Sequence, residues 1–192
     1  MMEKIIKDIL EDSIKVKEKY ISENIDLILK GAEMMAQCIA SGHKILIFGN
    51  GGSAADAQHI AAEFVNRFRI ERHPLPSIAL TTDTSIITSI GNDYHFDEIF
   101  SKQIFALGQK DDIAIGISTS GNSPNVVKAF EVAKEKGLIN FGVGGRGGKI
   151  VGLSDIAFSV QSDVTARIQE THITLMHILC DLVDRKLFPE SF

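Results

Sequence analysis

The sequence predicts an α/β fold: a single five-stranded parallel sheet flanked by helices in three layers, with a helical extension at the N-terminus. From residue 44 onward, short apolar runs alternate with segments long enough to be helices. The runs are apolar on both faces, which indicates strands that are covered on both sides, as in a parallel sheet. A chain of 192 residues can bury one full core, so we predict a single domain over residues 1–192.

Residues 1–41 are predicted to form the N-terminal helical extension. Their apolar positions recur at helical spacing, and we expect two helices that break near residues 20–22 and stop at Gly42. The apolar faces of such an arm pack either against the core or against another copy of the chain, and the pattern leaves both possibilities open. Residues 42–192, including a C-terminal helix, are predicted to form the α/β core.

The core elements follow in a regular order. Strands are predicted at 44–48, 77–81, 112–118, 138–143 and 155–160. Helices are predicted at 54–68, 97–107, 123–136 and 166–187, the last opened by Asp163 or Thr165 and stopped before Pro189. Ligands of an open parallel sheet bind outside the carboxyl ends of its strands, so the residues directly after each strand are the candidates for function.

Composition excludes several classes of function. The net charge is −5 and the basic residues are interleaved with acidic ones, so we expect no nucleic-acid partner. No apolar run approaches the roughly 20 residues that span a bilayer, and the N-terminus lacks the pattern of a signal peptide, so we expect a cytoplasmic protein without a membrane partner. Cys38 and Cys180 lie in apolar helical contexts, which indicates buried reduced thiols.

The first strand leads directly into a glycine-rich loop, Gly49–Ser53, and then into a helix. Glycines let the backbone approach a ligand closely, and a helix N-terminus directs free amides at an anion, so the loop is a candidate phosphate or carboxylate cradle. Its Gly-x-Gly-x-x-Ala spacing also fits a dinucleotide fingerprint. The acidic residue expected about 20 positions later is missing, since Asp83 lies too far along, and we reject that alternative.

A second cradle candidate follows the third strand, at Ser118–Pro124. It places four hydroxyls around Gly121, and hydroxyls with backbone amides can surround phosphate oxygens without any Lys or Arg. The alternative is that these residues only cap the next helix. Two such loops at neighbouring strand ends favour ligand binding.

A third glycine-rich stretch, Gly142–Lys149, resembles a nucleotide-binding P-loop only superficially. Val143 stands where the first Gly belongs, and Ile150 replaces the Ser or Thr. We predict a flexible turn there.

Acid/base or metal chemistry is suggested by His59 and Glu63, which are four residues apart and so share a helix face. A plain surface hydrogen bond is the alternative. The last helix adds Gln169, His172 and His177. Gln169 and His177 differ in height by about 12 Å, so one metal could touch both only from between them, and spacing alone makes His172 an equal candidate.

The segments GNGGSAADAQHIAAE, TTDTSIITSIGNDYHF, ISTSGNSPNV and ARIQETHITLMH resemble the phosphoheptose isomerases, a branch of the sugar-isomerase (SIS) domain family. The resemblance covers nearly the whole chain. STSGNS is typical of the wider family, whereas H-x-x-x-E together with Q-E-x-H-x-x-x-x-H is typical of the heptose branch. The resemblance implies a flavodoxin-like sheet, a homotetramer, and conversion of D-sedoheptulose 7-phosphate through an enediol into D-glycero-D-manno-heptose 7-phosphate for bacterial lipopolysaccharide or capsule.

The resemblance also implies roles for individual residues. The expected substrate and phosphate contacts are Asn50, Gly51, Gly52, Ser53, Asn92, Asp93, Ser118, Thr119, Ser120 and Ser123, with Glu63 and Gln169. One zinc ion per subunit is expected on His59, Glu63, Gln169 and His177, which excludes His172. For the reaction we assign Glu63 as base and His177 as acid.

Two alternatives of other classes remain. A binding module built on an inactive isomerase scaffold would have no need for the four implied ligands, and their presence argues against it. A regulatory domain that senses sugar phosphates would keep the serine loop without an acid/base pair.

Overall fold

The computed structural model describes every residue, Met1–Phe192, and confirms the α/β architecture. Its strands are β1 (Ile45–Gly49), β2 (Ser77–Ala79), β3 (Ile113–Ser118), β4 (Ile139–Gly144) and β5 (Ile156–Ser159). They form one sheet of order β2-β1-β3-β4-β5 in which every neighbouring pair is parallel. All five predicted strands are present, with ends shifted by one or two residues.

The helices are α1 (Met2–Glu23), α2 (Ile25–Ala40), α3 (Gly52–Val65), α4 (Thr84–Asp93), α5 (Ser101–Leu107), α6 (Pro124–Glu135), α7 (Lys149–Leu153) and α8 (Thr165–Leu187). A single 3₁₀ turn, Phe96–Glu98, precedes α5. None of the helices is both long enough and apolar enough to cross a membrane.

The sheet separates two hydrophobic cores, because successive side chains of a strand point to opposite faces. On β1, Ile45 and Ile47 enter the core beneath α2, α3 and α8, whereas Leu46 and Phe48 enter the core beneath α5 and α6. All five β1 residues are buried. The uniformly apolar runs of the sequence are therefore explained by burial on both sides.

The strand order fixes where the two loops of interest lie. From β1 the chain moves to β2 on one side and then crosses to β3 on the other side of β1. Gly49 at the end of β1 is in register with Ile117, one residue before the end of β3. The loops after β1 and β3 thus lie side by side at the point where the strand order reverses, the usual ligand position in such sheets.

The N-terminal arm consists of two helices, as predicted, but they separate at Asn24 rather than at residues 20–22. Helix α1 docks on α8 through a hydrogen bond from Arg167 Nη1 to the Ile9 carbonyl (2.8 Å) and one from Ser13 Oγ to Glu170 Oε2 (2.6 Å). Six apolar side chains of α1 nevertheless remain exposed: Met2, Ile5, Ile6, Ile9, Leu10 and Ile14. The arm packs on the core and still presents apolar surface.

Two helices were not predicted from the sequence. Helix α4 is rich in Thr, Ser and Ile, which have low helix propensity, but Asp83 initiates it by accepting a hydrogen bond from the Ile86 amide (2.9 Å). Helix α7 has only five residues and begins at Lys149, the last residue of the stretch predicted as a flexible turn. Both are local exceptions to the apolar periodicity on which the prediction relied.

The two cysteines are free and buried, as predicted. Burial raises the pKa of both thiols, that of Cys38 to about 12. Both therefore stay protonated and unreactive at neutral pH.

Candidate active site

The loop after β1 needs glycine at two positions for different reasons. A β-carbon on Gly49 would lie 2.8 Å from Ser53 Cβ and 2.9 Å from the Ile117 carbonyl oxygen, and Gly51 adopts φ +56°. The sharp turn brings the chain into α3, whose first turn has no side-chain cap. The amides of Ser53, Ala54 and Ala55 donate to backbone carbonyls within this turn. The amides of Gly51 and Gly52 have no such partner and are the ones that can donate to an anion.

The loop after β3 gathers its hydroxyls instead of using them as helix caps. Ser123 occupies the N-cap position of α6 but makes no cap hydrogen bond. Its Oγ lies 2.9 Å from Ser118 Oγ, which in turn lies 3.4 Å from Ser120 Oγ. The capping alternative is wrong for Ser123, and the three hydroxyls converge above an uncapped helix N-terminus.

A pair of side-chain amides joins the two loops, and the sequence identified only one of them, Asn50. Asn50 Nδ2 donates to Asn125 Oδ1 (2.9 Å), and Asn125 Nδ2 donates to Asn50 Oδ1 (2.8 Å). Asn125 is almost fully buried in the first turn of α6. In the sequence, the only signal for Asn125 was its position directly after Ser-Pro. Its partner lies 75 positions away, so the pair could not be predicted from local spacing.

The stretch predicted as a flexible turn instead packs against the serine loop. The Gly145 amide donates to the Thr119 carbonyl (3.2 Å), and the Ile150 amide donates to the Gly121 carbonyl (3.1 Å). A β-carbon on Gly148 would lie 2.5 Å from Gly121 Cα, so the two backbones are in direct contact. This stretch holds the serine loop in place, which corrects the interpretation as a free turn.

His59, Glu63 and His177 come together between α3 and α8. His59 Nε2 lies 3.3 Å from Glu63 Oε1 and 3.0 Å from His177 Nε2. The Phe68 ring stacks on His177, with centroids 5.3 Å apart and planes inclined by 27°. Phe68 follows α3 and carried no signal in the sequence analysis.

The pKa of His177 is lowered, chiefly by burial and secondly by the neighbouring His59, while Glu63 opposes the shift. The neutral imidazole is therefore favoured at neutral pH. Neutral imidazole is also the form that binds metals.

The other two candidates on α8 lie elsewhere. The Gln169 amide packs against the first turn of α3, where a β-carbon on Gly52 would be 2.7 Å from Gln169 Nε2. Gly52 and Gln169 meet at one level, and His59 and His177 meet about two turns further on, so α3 and α8 run in the same direction. His172 is buried, with Nε2 3.0 Å from the Gly144 carbonyl oxygen, and burial lowers its pKa to about 4.

The SIS domain family model matches residues 10–145 of the chain. A phosphoheptose isomerase of Nitratidesulfovibrio vulgaris is 59% identical over 178 residues, 92% of this chain and 86% of that protein. One of Thermodesulfovibrio yellowstonii is 57% identical over 184 residues, 95% of this chain and 92% of that protein. The chain belongs to the SIS domain family, among its phosphoheptose isomerases.

The fold agrees with phosphoheptose isomerases of known structure. The structure from Neisseria gonorrhoeae has a TM-score of 0.91 at 44% identity, covering 96% of this chain and 99% of that one. The structure from Francisella tularensis has a TM-score of 0.92 at 39% identity with the same coverage.

Two further residues that the phosphoheptose isomerase motif marks for substrate contact lie at the end of α4. Asn92 and Asp93 end α4, and both are exposed. Asn92 Nδ2 donates to Asp93 Oδ1 (2.9 Å), which is a contact within the pair. This contact joins the two side chains at the exposed end of α4, and their role in substrate contact stays a prediction.

The zinc ligands implied by the same motif can be tested against the donor geometry. Two donors on a tetrahedral zinc ion lie about 3.3 Å apart, close to the 3.0 and 3.3 Å that separate His59 from His177 and Glu63. His59 contacts both His177 and Glu63, so the three side chains are linked through His59. No group of three or more His, Cys, Asp or Glu side chains is already arranged for a metal. The donor set fits zinc chemically after small side-chain movements, whereas Gln169 rests on Gly52.

Proposed function

We propose that the chain is a sugar-phosphate isomerase that converts D-sedoheptulose 7-phosphate into D-glycero-D-manno-heptose 7-phosphate, in heptose biosynthesis for bacterial surface polysaccharide. The observation that carries the proposal is the His59–Glu63–His177 cluster. The cluster lies further along α3 than the two candidate anion-binding loops, which lead into helices α3 and α6, neither of which has a side-chain cap. The likeness to phosphoheptose isomerases over nearly the full length supports the same substrate.

The spacing within the site supports a long sugar phosphate. His59 is seven residues beyond Gly52, about 10 Å along the axis of α3. An extended chain advances about 1.2 Å per bond, and eight bonds separate C1 of a 7-phosphoheptose from phosphorus, again about 10 Å. A substrate whose phosphate lies at the cradles can therefore present C1 and C2 to the cluster.

The isomerisation moves a proton from C1 to C2 through an enediol. Glu63 is the base that removes the C1 proton and returns it to C2. His177 is the acid that donates a proton to the C2 oxygen as charge develops there, and it takes the proton of the C1 hydroxyl as the aldehyde forms. Phe68, stacked on His177, fixes the plane of the imidazole.

The phosphate is held by Ser118, Thr119, Ser120 and Ser123 together with the N-terminus of α6. Convergent hydroxyls and a helix dipole bind a dianion without a basic side chain. Asn50 and Ser53 belong to the adjoining loop, and the Asn125 amide fixes the orientation of Asn50.

We propose one zinc ion per subunit, held by His59, Glu63 and His177, with Gln169 as the fourth ligand. Gln169 would have to turn away from Gly52 and extend along α8 toward the cluster to reach the metal. When bound, zinc supplies Lewis-acid polarisation of the substrate carbonyl. Coordination would also weaken Glu63 as a base, because its lone pairs are shared with the cation.

We also propose that the chain assembles into a homotetramer. The proposal rests on the exposed apolar side chains of α1, which in an isolated subunit would face water.

The proposed activity is tested by incubating the purified protein with sedoheptulose 7-phosphate and following the aldose by NMR. Glu63→Gln keeps the size and hydrogen bonding of the side chain but removes the charge that accepts the proton. Turnover should fall by about 10²-fold or more while phosphosugar still binds. Near-normal turnover in this variant would exclude Glu63 as the base, and an unmodified protein inactive on seven-carbon ketose phosphates would favour the binding-module alternative.

The proposed zinc is tested by measuring bound metal and turnover with and without chelator. His177→Ala should lose both zinc and turnover, because one ligand is missing from the site. Its effect and that of Glu63→Gln should be far from additive, since both residues serve one proton transfer. Full activity in metal-free protein would contradict the zinc proposal and leave the acid/base assignment standing.

A further inference from the structure

The two halves of the acid/base cluster reside on different helices. His59 and Glu63 belong to α3, and His177 belongs to α8. Their approach to 3.0 Å depends on how these helices are held relative to each other. At the far end of α3, one buried side chain spans that gap.

Arg72 lies in the segment between α3 and β2, and its side chain is only 1% exposed. Nη2 donates to the carbonyl of Glu63 (2.8 Å), and Nη1 donates to the carbonyl of Phe64 (2.8 Å). These are last-turn carbonyls, which have no partner within their own helix. The guanidinium is thus hydrogen-bonded to the backbone of Glu63 itself.

The same guanidinium holds α8. Arg72 Nε donates to Asp184 Oδ1 (2.9 Å), and the Asp184 side chain is also only 1% exposed. Asp184 is seven residues beyond His177, two turns along the same helix face and about 10 Å away. One planar group therefore ties the backbone of Glu63 to the helix that carries His177.

We propose that Arg72, paired with Asp184, is a positioning residue that sets the separation of Glu63 and His177 and so the geometry of proton transfer and metal binding. The inference rests on the proposed function. A fork of fixed shape suits this role, because guanidinium presents several donors in one plane and a lysine ammonium does not.

A buried ion pair also contributes to stability, and the test must separate that contribution from positioning. Removing one partner leaves an uncompensated buried charge and can unfold the chain, whereas replacing both by apolar residues of similar volume is often neutral or stabilising. The informative variant is therefore Arg72→Met combined with Asp184→Leu. It keeps the packing while losing the link to the Glu63 carbonyl.

The double variant should still fold, with a thermal unfolding midpoint lowered by only a few degrees because the Glu63 carbonyl loses its donor. Its kcat should fall tenfold or more while KM changes less than threefold, since the serine loop lies elsewhere. Its dissociation constant for zinc, measured by chelator competition, should rise about 10- to 100-fold, as when residues that orient metal ligands are lost. A kcat and a zinc affinity within twofold of the unmodified chain would show that the pair only stabilises the fold, and would overturn the inference.

Arg72→Lys provides the second arm and keeps a charge opposite Asp184. Because one ammonium cannot hold Glu63, Phe64 and Asp184 in a plane, we expect the same loss of kcat and zinc affinity in a folded protein. Unchanged values here would overturn the inference even if the double variant failed to fold.

The matched control is Lys186→Met with Glu33→Gln, which removes an exposed ion pair between α8 and α2. It should leave kcat, KM and zinc affinity within twofold, and an equal loss would overturn a specific role for Arg72. Assays of the unmodified protein come first: inactivity there overturns the proposed function, whereas an active parent with unaffected Arg72 variants overturns this inference alone.

Discussion

Single side chains determine whether the loop after β3 serves the fold or a ligand. A serine at a helix N-cap ordinarily accepts a hydrogen bond from its own helix. Ser123 instead lies against Ser118, and the helix end stays open. A cap hydrogen bond is thereby given up, which is the pattern expected where local sequence rules are broken for function.

Ser123→Ala should weaken phosphosugar binding while leaving the fold intact. A lost hydrogen bond to a charged oxygen costs about 1.5–3 kcal/mol, so the dissociation constant should rise roughly 10- to 150-fold. Because Ser123 caps nothing, the free energy of unfolding should fall by about 1 kcal/mol or less. Calorimetric titration and thermal unfolding would measure the two quantities, with Ser120→Ala expected to behave likewise.

Ser22→Ala is the matched control, since that hydroxyl only donates to the Lys19 carbonyl at the exposed end of α1. Binding should be unaffected there. An unchanged dissociation constant in both Ser120→Ala and Ser123→Ala would remove the phosphate role from the loop.

The sequence identified site residues whose signal is local and missed those whose partners are distant. A spacing of four residues identified His59 and Glu63 as candidates, and a cluster of hydroxyl residues identified Ser118–Ser123. Asn125 and Arg72 act through partners 75 and 112 positions away, which no local pattern encodes. Geometry also separates His172 from His177, a choice that spacing alone left open.

At the scale of elements, apolar periodicity predicted the sheet because buried parallel strands are apolar on both faces. Helix α4 was not predicted because its start depends on the Asp83 side chain rather than on apolar periodicity. The role of the Gly142–Lys149 stretch was not predicted for another reason. Its glycines allow close backbone contact with the serine loop, and contact between two loops produces no periodic pattern in the sequence.

That contact predicts a strong effect of Gly121→Ala. The new β-carbon would lie 2.3 Å from the Gly147 carbonyl oxygen at a residue with φ +66°, so both sterics and backbone oppose it. The free energy of unfolding should fall by about 1–3 kcal/mol, and the displaced serine loop should bind phosphosugar more weakly.

Gly152→Ala offers the control within the adjoining α7, where a β-carbon would meet nothing within 4 Å. Alanine there should be neutral or stabilise by up to about 1 kcal/mol. Equal behaviour of the two variants in thermal unfolding and phosphosugar titration would mean that the serine loop does not depend on its contact with the Gly142–Lys149 stretch.

At the scale of the whole molecule, the chain has apolar surface that its own fold does not cover. Ile6 and Leu10 are 66% and 59% exposed, and they lie one turn apart on α1 beside the face that docks on α8. Glu11 and Glu18, which are exposed and charged, lie roughly 80–140° around the helix from this pair. This asymmetry along a helix is expected when a second copy packs on one side.

Assembly can therefore be tested without deleting the helix. Ile6→Lys with Leu10→Lys adds two positive charges to the exposed apolar side, where burial against another subunit would leave them desolvated and unpaired. Light scattering should shift from the mass of a tetramer toward smaller species, while circular dichroism stays helical because lysine is a good helix former. The control, Glu11→Gln with Glu18→Gln, changes the net charge by the same amount on another side of α1 and should keep the assembly. A monomeric unmodified chain at micromolar concentration would refute assembly altogether, and a tetramer that survives both lysines would place the contact on another surface.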